Sequence, residues 1–422
     1  MHNKNSSSST IVGSRTLRMQ RPRVSVGNKA VMYFCIFSVF FMISFPKGGL
    51  KINEVPITIG YLLTVPLLAF SAASFTRNKI SFQRSICAFA CILLTLWSAV
   101  AYTRLGGQSP SFALAYFISI LYIPIFCLLF FSQVTLGKWR FSLEKCLKYS
   151  VRFLALYAIV LFVFKYVTGN WIEIPYLTVN AADVGQLDEK HINRGGIFKA
   201  ISTYNNGNIF GVCMIILMPL YNRIESKSIF KLLFIAALIL TLSRTVWIGL
   251  IIGIIFIAIS NGLKFLQVFY VFMASLFVGS AIYGVVILLG FDSSFLVDRN
   301  FGGRLDQFTY LSDAQFIPNK AGIDLPEIVY LGIIHNYGYF GLLLFLFVML
   351  SPYWAMKSLG TRLFSERLPS ACMQGVLIYL ILAMSDAAFN YIPTMLIFWM
   401  IGAWGIWYAE PSLSNRSYSV AK

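Results

Sequence analysis

The stretch EIVYLGIIHNYGYFGLLLFLFVML, Glu327 to Leu350, is one carboxylate followed by a nearly unbroken apolar run with no further Asp, Glu, Lys or Arg. Such a run reads as a membrane-crossing helix, since about 20 apolar residues span the hydrocarbon layer. It is fed by a polar segment that begins at Phe291 and carries Asp298, Arg299, Arg304, Asp306 and Asp313. Charged groups held against a membrane are costly, so chemistry is expected where this segment meets the run.

Working outward, 58% of the 422 residues are hydrophobic and 12% charged. A soluble chain carries about 25% charged residues. These figures predict an all-α polytopic membrane protein and exclude a soluble enzyme with a single anchor. The net charge of +18 does not indicate nucleic acid. The basic residues fall in short loops that alternate with loops lacking them, as the positive-inside rule requires, and no basic face with interleaved aromatics appears. The seven cysteines lie in apolar runs or inner loops, and no metal-ligand spacing is present. No cofactor is expected.

About twelve spans are predicted. They are Ala30–Phe45, Val55–Phe75, Ile86–Tyr102, Phe112–Ser132, Ser150–Val167, Asn208–Tyr221, Ile229–Leu242, Thr245–Ser260, Phe265–Gly290, Ile328–Ser351, Gln374–Asn390 and Thr394–Tyr408. The seventh and eighth could also form one long helix. Fusing them would move Lys357, Arg362 and Arg367 to the outer side, so Ser243-Arg244 is read as a tight outer turn. Residues 1–29 form a basic cytoplasmic tail, 30–408 a single transmembrane domain and 409–422 a second cytoplasmic tail. Two long loops, 168–207 and 291–327, mix aromatics with charges and are expected as folded caps on the outer face.

Several residues are singled out, each with two readings. Arg244 lies between apolar runs; it is either a snorkelling interfacial arginine or a guanidinium that grips a diphosphate. Arg194 opens a glycine-rich tract leading to Tyr204-Asn205-Asn206-Gly207; it either pairs with Asp188 or Glu189, or joins Asn206 in binding a sugar phosphate. Arg304, beside Gly302-Gly303 and ahead of Phe308 and Tyr310, either pairs with Asp306 or Asp298 or binds substrate. Glu327 heads the tenth span, with His335 on much the same helical face and about 12 Å deeper. Asp386, near the outer end of the eleventh span, is either an interhelical partner or a substrate contact.

Taken in order, Ser243-Arg244 opening an apolar helix, Gly302-Gly303-Arg304-Leu305, and Tyr330-Leu331 with Asn336-Tyr337-Gly338-Tyr339-Phe340-Gly341 resemble the O-antigen polymerase and O-antigen ligase superfamily. Tyr204-Asn205-Asn206-Gly207 is similar to the Asn-Pro-Asn-like element that such proteins place before a span. The resemblance covers roughly residues 194–350. It implies a metal-independent glycosyltransferase on the outer face of a bacterial plasma membrane, with both termini cytoplasmic. The implied donor is an oligosaccharide linked through diphosphate to a polyprenol, and the acceptor is a second glycan. Arg194, Arg244 and Arg304 would bind the diphosphate, with Tyr330 among the substrate contacts. Ligases carry a His-Asn pair at the position held here by Glu327, while His335-Asn336 lies further along, so the resemblance leans to the polymerases.

The expected reaction is therefore elongation of lipid-linked repeat units for O-antigen, capsule or exopolysaccharide. Glu327 is the first candidate for the base, His335 the second, and Arg304 the residue that stabilises the leaving diphosphate. A ligase that moves finished polymer to a lipid A-core acceptor, a lipid-glycan transporter or flippase, and a structural scaffold are the alternatives. The partners implied besides substrate are membrane lipid, a chain-length regulator and a flippase.

Overall fold

A computed structural model of the chain describes residues 26–52, 55–75, 80–105, 110–189, 193–194, 197–263, 266–267, 269–270, 273, 284, 304–318, 327–386, 389 and 391–410. The elements are α1 (Val26–Ser44), the hairpin β1 (Gly49–Ile52) and β2 (Val55–Thr58), α2 (Ile59–Phe75), α3 (Phe82–Leu105), α4 (Pro110–Phe117), α5 (Ile123–Phe130), α6 (Gln133–Leu136) and α7 (Arg140–Thr168). After the hairpin β3 (Asn193–Arg194) and β4 (Ile197–Phe198) come α8 (Gly207–Ile224), α9 (Ser228–Ile239), α10 (Arg244–Ser260), α11 (Val329–Ser358), α12 (Leu368–Leu382) and α13 (Ile392–Ala409). Both hairpins are antiparallel and two-stranded.

The molecule is a helical membrane protein. Six helical runs are long and apolar enough to cross a membrane: α3, the continuous run through α4 and α5, α7, α8, α11 and α13. Five shorter apolar helices, α1, α2, α9, α10 and α12, fall where other spans are expected. The ninth expected span, Phe265–Gly290, lies almost wholly outside the described residues, as do most of both tails. The α7 helix begins ten residues before the expected Ser150, because its first turns are amphipathic and carry Arg140, Lys145 and Lys148. Between α4 and α5 the helix widens into a π-turn at Ile118–Tyr122, next to Pro124.

The core is centred on α13. Within that helix 89% of the spanning window is buried, against 33% for α3 and α7. A helix apolar all round has no solvent face to keep, so it sits in the middle while one-sided helices take the rim. Its indoles Trp399, Trp404 and Trp407 are fully buried. Tight approach of α8 to α12 is set by Gly375, where a Cβ would stand 2.5 Å from the Ile216 carbonyl oxygen. Small residues at such crossings let backbones meet without a hydrophobic drive between helices.

The α9–α10 connection is a tight turn, Leu240–Ser243, with Leu242 at φ 50°. The turn is anchored by Ala200 N–H to Leu240 O at 2.9 Å. The two helices are therefore separate. The first long loop folds on a small core of Leu161, Val179, Leu187 and Ile201. Asp188, one of the two acids considered as a partner for Arg194, accepts from Lys165 Nζ at 2.7 Å and from Trp171 Nε1 at 2.9 Å.

The helix α11 is broken at Gly338 (φ 71°, ψ 179°). The descending second loop fills the break: Tyr339 N–H donates to Gln315 O at 3.0 Å and Phe340 N–H to Phe316 O at 3.2 Å. Trp97 Nε1 donates to Tyr337 O at 3.0 Å from the other side. Irregular backbone survives at membrane depth only when its polar groups are satisfied in this way. That φ/ψ pair belongs to glycine, and a Cβ there would lie 2.5 Å from the Phe316 carbonyl oxygen. Gly338→Ala is expected to destabilise the fold by roughly 2–4 kcal/mol, from backbone strain plus expulsion of the loop. Thermal unfolding in detergent measures this; an unchanged midpoint would contradict the loop's seat.

Candidate functional site

The N-termini of α8, α10 and α11 and the turn after α12 meet at one end of the bundle, and Arg304 and Glu327 of the second long loop reach them. The local sequence explains the placement. Gly207 opens α8 where three segments cross; a Cβ on it would meet Ala200 O at 3.1 Å, Lys199 Cβ at 3.2 Å and Thr241 O at 3.3 Å. The turn Ala383–Asp386 follows α12 because its amides keep bonding back, Asp386 N–H to Leu382 O at 3.1 Å. Asp386 is therefore not inside the eleventh span as expected. The helix has ended and the carboxylate projects from a turn.

Arg304 is the hub. Its Nη2 lies 2.7 Å from Glu327 Oε2 and 3.6 Å from Asp386 Oδ2. Its Nε donates to the Ser385 carbonyl oxygen at 3.1 Å. These partners come from other parts of the chain than Asp306 and Asp298, the ones considered from neighbouring sequence; Asp298 lies outside the described residues. Asn208 Nδ2 donates to Asp386 Oδ2. The hydroxyls of Thr245 and Ser385 share a hydrogen bond of 2.9 Å, which ties the first turn of α10 to the residue that receives Arg304. Arg244, half-buried, is the first residue of that helix. The structure thus gathers Arg304, Glu327 and Asp386 directly and joins the Arg244 turn to them through Thr245 and Ser385.

The two carboxylates differ. Asp386 is largely buried and Glu327 exposed, with side-chain exposures of 12% and 46%. Burial, helped by the neighbouring Glu327 charge, pushes the Asp386 carboxyl up to about 6; Arg304, the Asn208 amide and Lys199 pull the other way. Arg304 does not win because its closest contact goes to Glu327, and removal from water costs the charged form more than a partner 3.6 Å away returns.

Other expected residues have other surroundings. Glu327 precedes α11 rather than belonging to it, so it does not share a helical face with His335. The His335 ring packs on Tyr310, with centroids 4.3 Å apart, and Tyr310 belongs to the short 3-10 helix Asp306–Leu311. That helix is pinned to the start of α11 by Ile328 N–H to Gln307 Oε1 at 3.0 Å. Tyr330 donates its hydroxyl to Leu380 O at 2.6 Å, a link between α11 and α12. Arg194 lies in β3, and its side chain is outside the described atoms.

Asn206 is the N-cap of α8; its Oδ1 accepts from Asn208 N at 2.8 Å and Ile209 N at 3.2 Å. Asn206→Ala is expected to cost about 1 kcal/mol of stability and to leave the apparent substrate affinity unchanged. Paired unfolding and kinetic measurements check this, and a raised KM with unchanged stability would assign Asn206 to substrate binding.

Sequence reading missed Asn208, Thr245, Ser385 and Gln307. Only Asn208 left a signal, an amide at the mouth of an apolar run. Among the described residues no group of three His, Cys, Asp or Glu side chains is placed to hold a metal ion. Comparison with protein families, curated proteins and solved structures finds no match for the chain.

Proposed function

We propose that the protein is a polymerase of lipid-linked oligosaccharide repeat units, which transfers glycan from a polyprenyl diphosphate to the hydroxyl of an acceptor glycan. In this reading about twelve spans cross a bacterial plasma membrane, both termini are cytoplasmic, and the Arg304 cluster faces outward. The observation that carries the proposal is a largely buried guanidinium held between two carboxylates at the end of a membrane bundle, linked to the turn that bears Arg244. Such a group is suited to an anionic leaving group at the lipid boundary, where low dielectric strengthens each contact.

The roles divide by environment. Asp386, with its carboxyl near 6, suits a general base at neutral pH better than Glu327, whose carboxylate is engaged by Arg304. The acceptor oxygen bonds to the donor's anomeric carbon as its proton passes to Asp386. The bond from that carbon to the diphosphate oxygen breaks, and its electron pair leaves with the diphosphate. Arg304 and Arg244 stabilise the growing negative charge; Glu327 and Ser385 hold Arg304 in place.

Incubating the purified chain in detergent with a polyprenyl-diphosphate-linked oligosaccharide tests this directly. Lengthened glycan is the expected product. A flippase would need sealed vesicles and would lengthen nothing. In cells, loss of the gene should collapse the surface-polysaccharide ladder to one repeat; lipid-linked polymer with bare acceptor would mean a ligase instead.

A further inference from the structure

Towards the opposite end of the bundle, α1 and α7 run parallel and leave an open groove of about 460 Å³ between the middle of α1 and the first turns of α7, within the range of ligand pockets. Tyr33, Ile36, Phe37 and Phe40 line one side and Cys146 and Tyr149 the other. Its floor is tied by Cys146 Sγ to Ile36 O at 3.3 Å. Towards mid-bundle it is closed by Phe153, whose ring stands 6.1 Å from Phe40 and 5.2 Å from Phe45. The groove therefore has a blind apolar end and an open end.

The open end is basic. Lys145 lines the groove, and exposed Lys29 sits one turn before Tyr33 on α1. Lys145 Nζ lies 4.4 Å from the Phe141 ring centroid and Lys148 Nζ 5.4 Å from that of Tyr149. Among the described residues neither lysine has a carboxylate within ion-pair distance. The acid adjacent in sequence, Glu144, is turned away: it accepts from the Tyr408 hydroxyl and lies 3.6 Å from Arg140 Nε. Helix pairs inside a protein close such gaps with side chains; here aromatic walls stand open to the side while cations crowd one end.

We infer that the α1–α7 groove is a binding site for an anionic phospholipid, with one acyl chain against Tyr33, Phe37 and Phe40 and the headgroup phosphate held by Lys145 and Lys29. Charge complementarity selects the headgroup: a basic residue close to an anionic lipid surface contributes roughly fivefold in affinity. The site is independent of the polymerase reading, since it lies at the other end of the molecule and shares no residue with the Arg304 cluster.

Native mass spectrometry of the full chain in detergent, with equimolar phosphatidylglycerol and phosphatidylcholine of matched chains, tests the inference. One phosphatidylglycerol should be retained in at least tenfold preference. The double variant Lys29→Glu/Lys145→Glu should bring the ratio to about one, and Ser142→Trp, at a position that lines the groove, fills it without changing charge and should lower retention of both lipids. Equal retention by the wild-type chain overturns the inference. So does a preference that survives charge reversal, and so does retention that survives Ser142→Trp, since each places the lipid elsewhere. Retention of neither lipid, with the chain running as a dimer, assigns the groove to a second copy and also overturns it.

Discussion

Arg304→Ala is expected to abolish polymer and leave the single lipid-linked repeat unit to accumulate, with a rate loss on the order of 10²–10³-fold. That is the scale on which removing one preorganised electrostatic contact to a developing charge acts. Arg304→Lys should rescue little. A lysine ammonium is a point charge on a flexible stem, whereas Arg304 meets Glu327 and the Ser385 carbonyl oxygen at once through two different nitrogens. Turnover of a defined lipid-linked donor, read by product length, distinguishes these outcomes. Polymer of ordinary length from the alanine variant would remove the mechanism. A loss traceable to misfolding would show as a lowered unfolding midpoint in both variants, which the lysine variant, keeping the charge, is not expected to have.

Asp386→Asn should reduce kcat/KM by roughly 10²–10⁴-fold, the range contributed by a positioned base. In the wild-type chain kcat/KM should be level above pH 6 and fall tenfold per unit below it, because the base works only when deprotonated and its carboxyl titrates at about 6. The neighbours give the sign of each shift. Asn208→Ala or Lys199→Gln removes a group that favours the charged form and should move the limb up in pH; Glu327→Gln removes a like charge and should move it down. Stability runs the opposite way. Since folding raises this pKa, the carboxyl favours the native state at low pH, and that contribution is lost as pH rises from the unfolded value through about 6. At neutral pH the Asp386→Asn chain should therefore be as stable as the wild type or more so, by up to about 3 kcal/mol. An acid limb that stays in place in all three neighbouring variants would assign it to another group.

How much of this was legible in the sequence differs by level. Composition and apolar run length were enough for the class of molecule, because hydrocarbon tolerates only backbone that satisfies itself, and helices do so locally. The separation of α9 from α10 was legible for a similar reason, since the charge of later loops depends on it. Arg304, Glu327 and Asp386 could be picked out one at a time as costly charges near a membrane. Their partnership could not, because Arg304 is far in sequence from Asp386. Ion pairing follows spatial approach, and approach is set by which helix ends the fold brings together.

The break in α11 shows the same division. Gly338 in an apolar run reads as an ordinary glycine of a membrane helix. Only the loop carbonyls of Gln315 and Phe316, with Trp97 from α3, make it a hinge point at which a second chain segment enters. The amino-acid sequence alone determined that this chain lives in a membrane as helices and which of its charges are expensive. The tertiary structure alone decided which charges share a site and which carboxylate is poised near neutrality. The reason is physical: hydrophobicity and helix formation are properties of a run of residues, whereas desolvation and pairing belong to the place where separate runs meet.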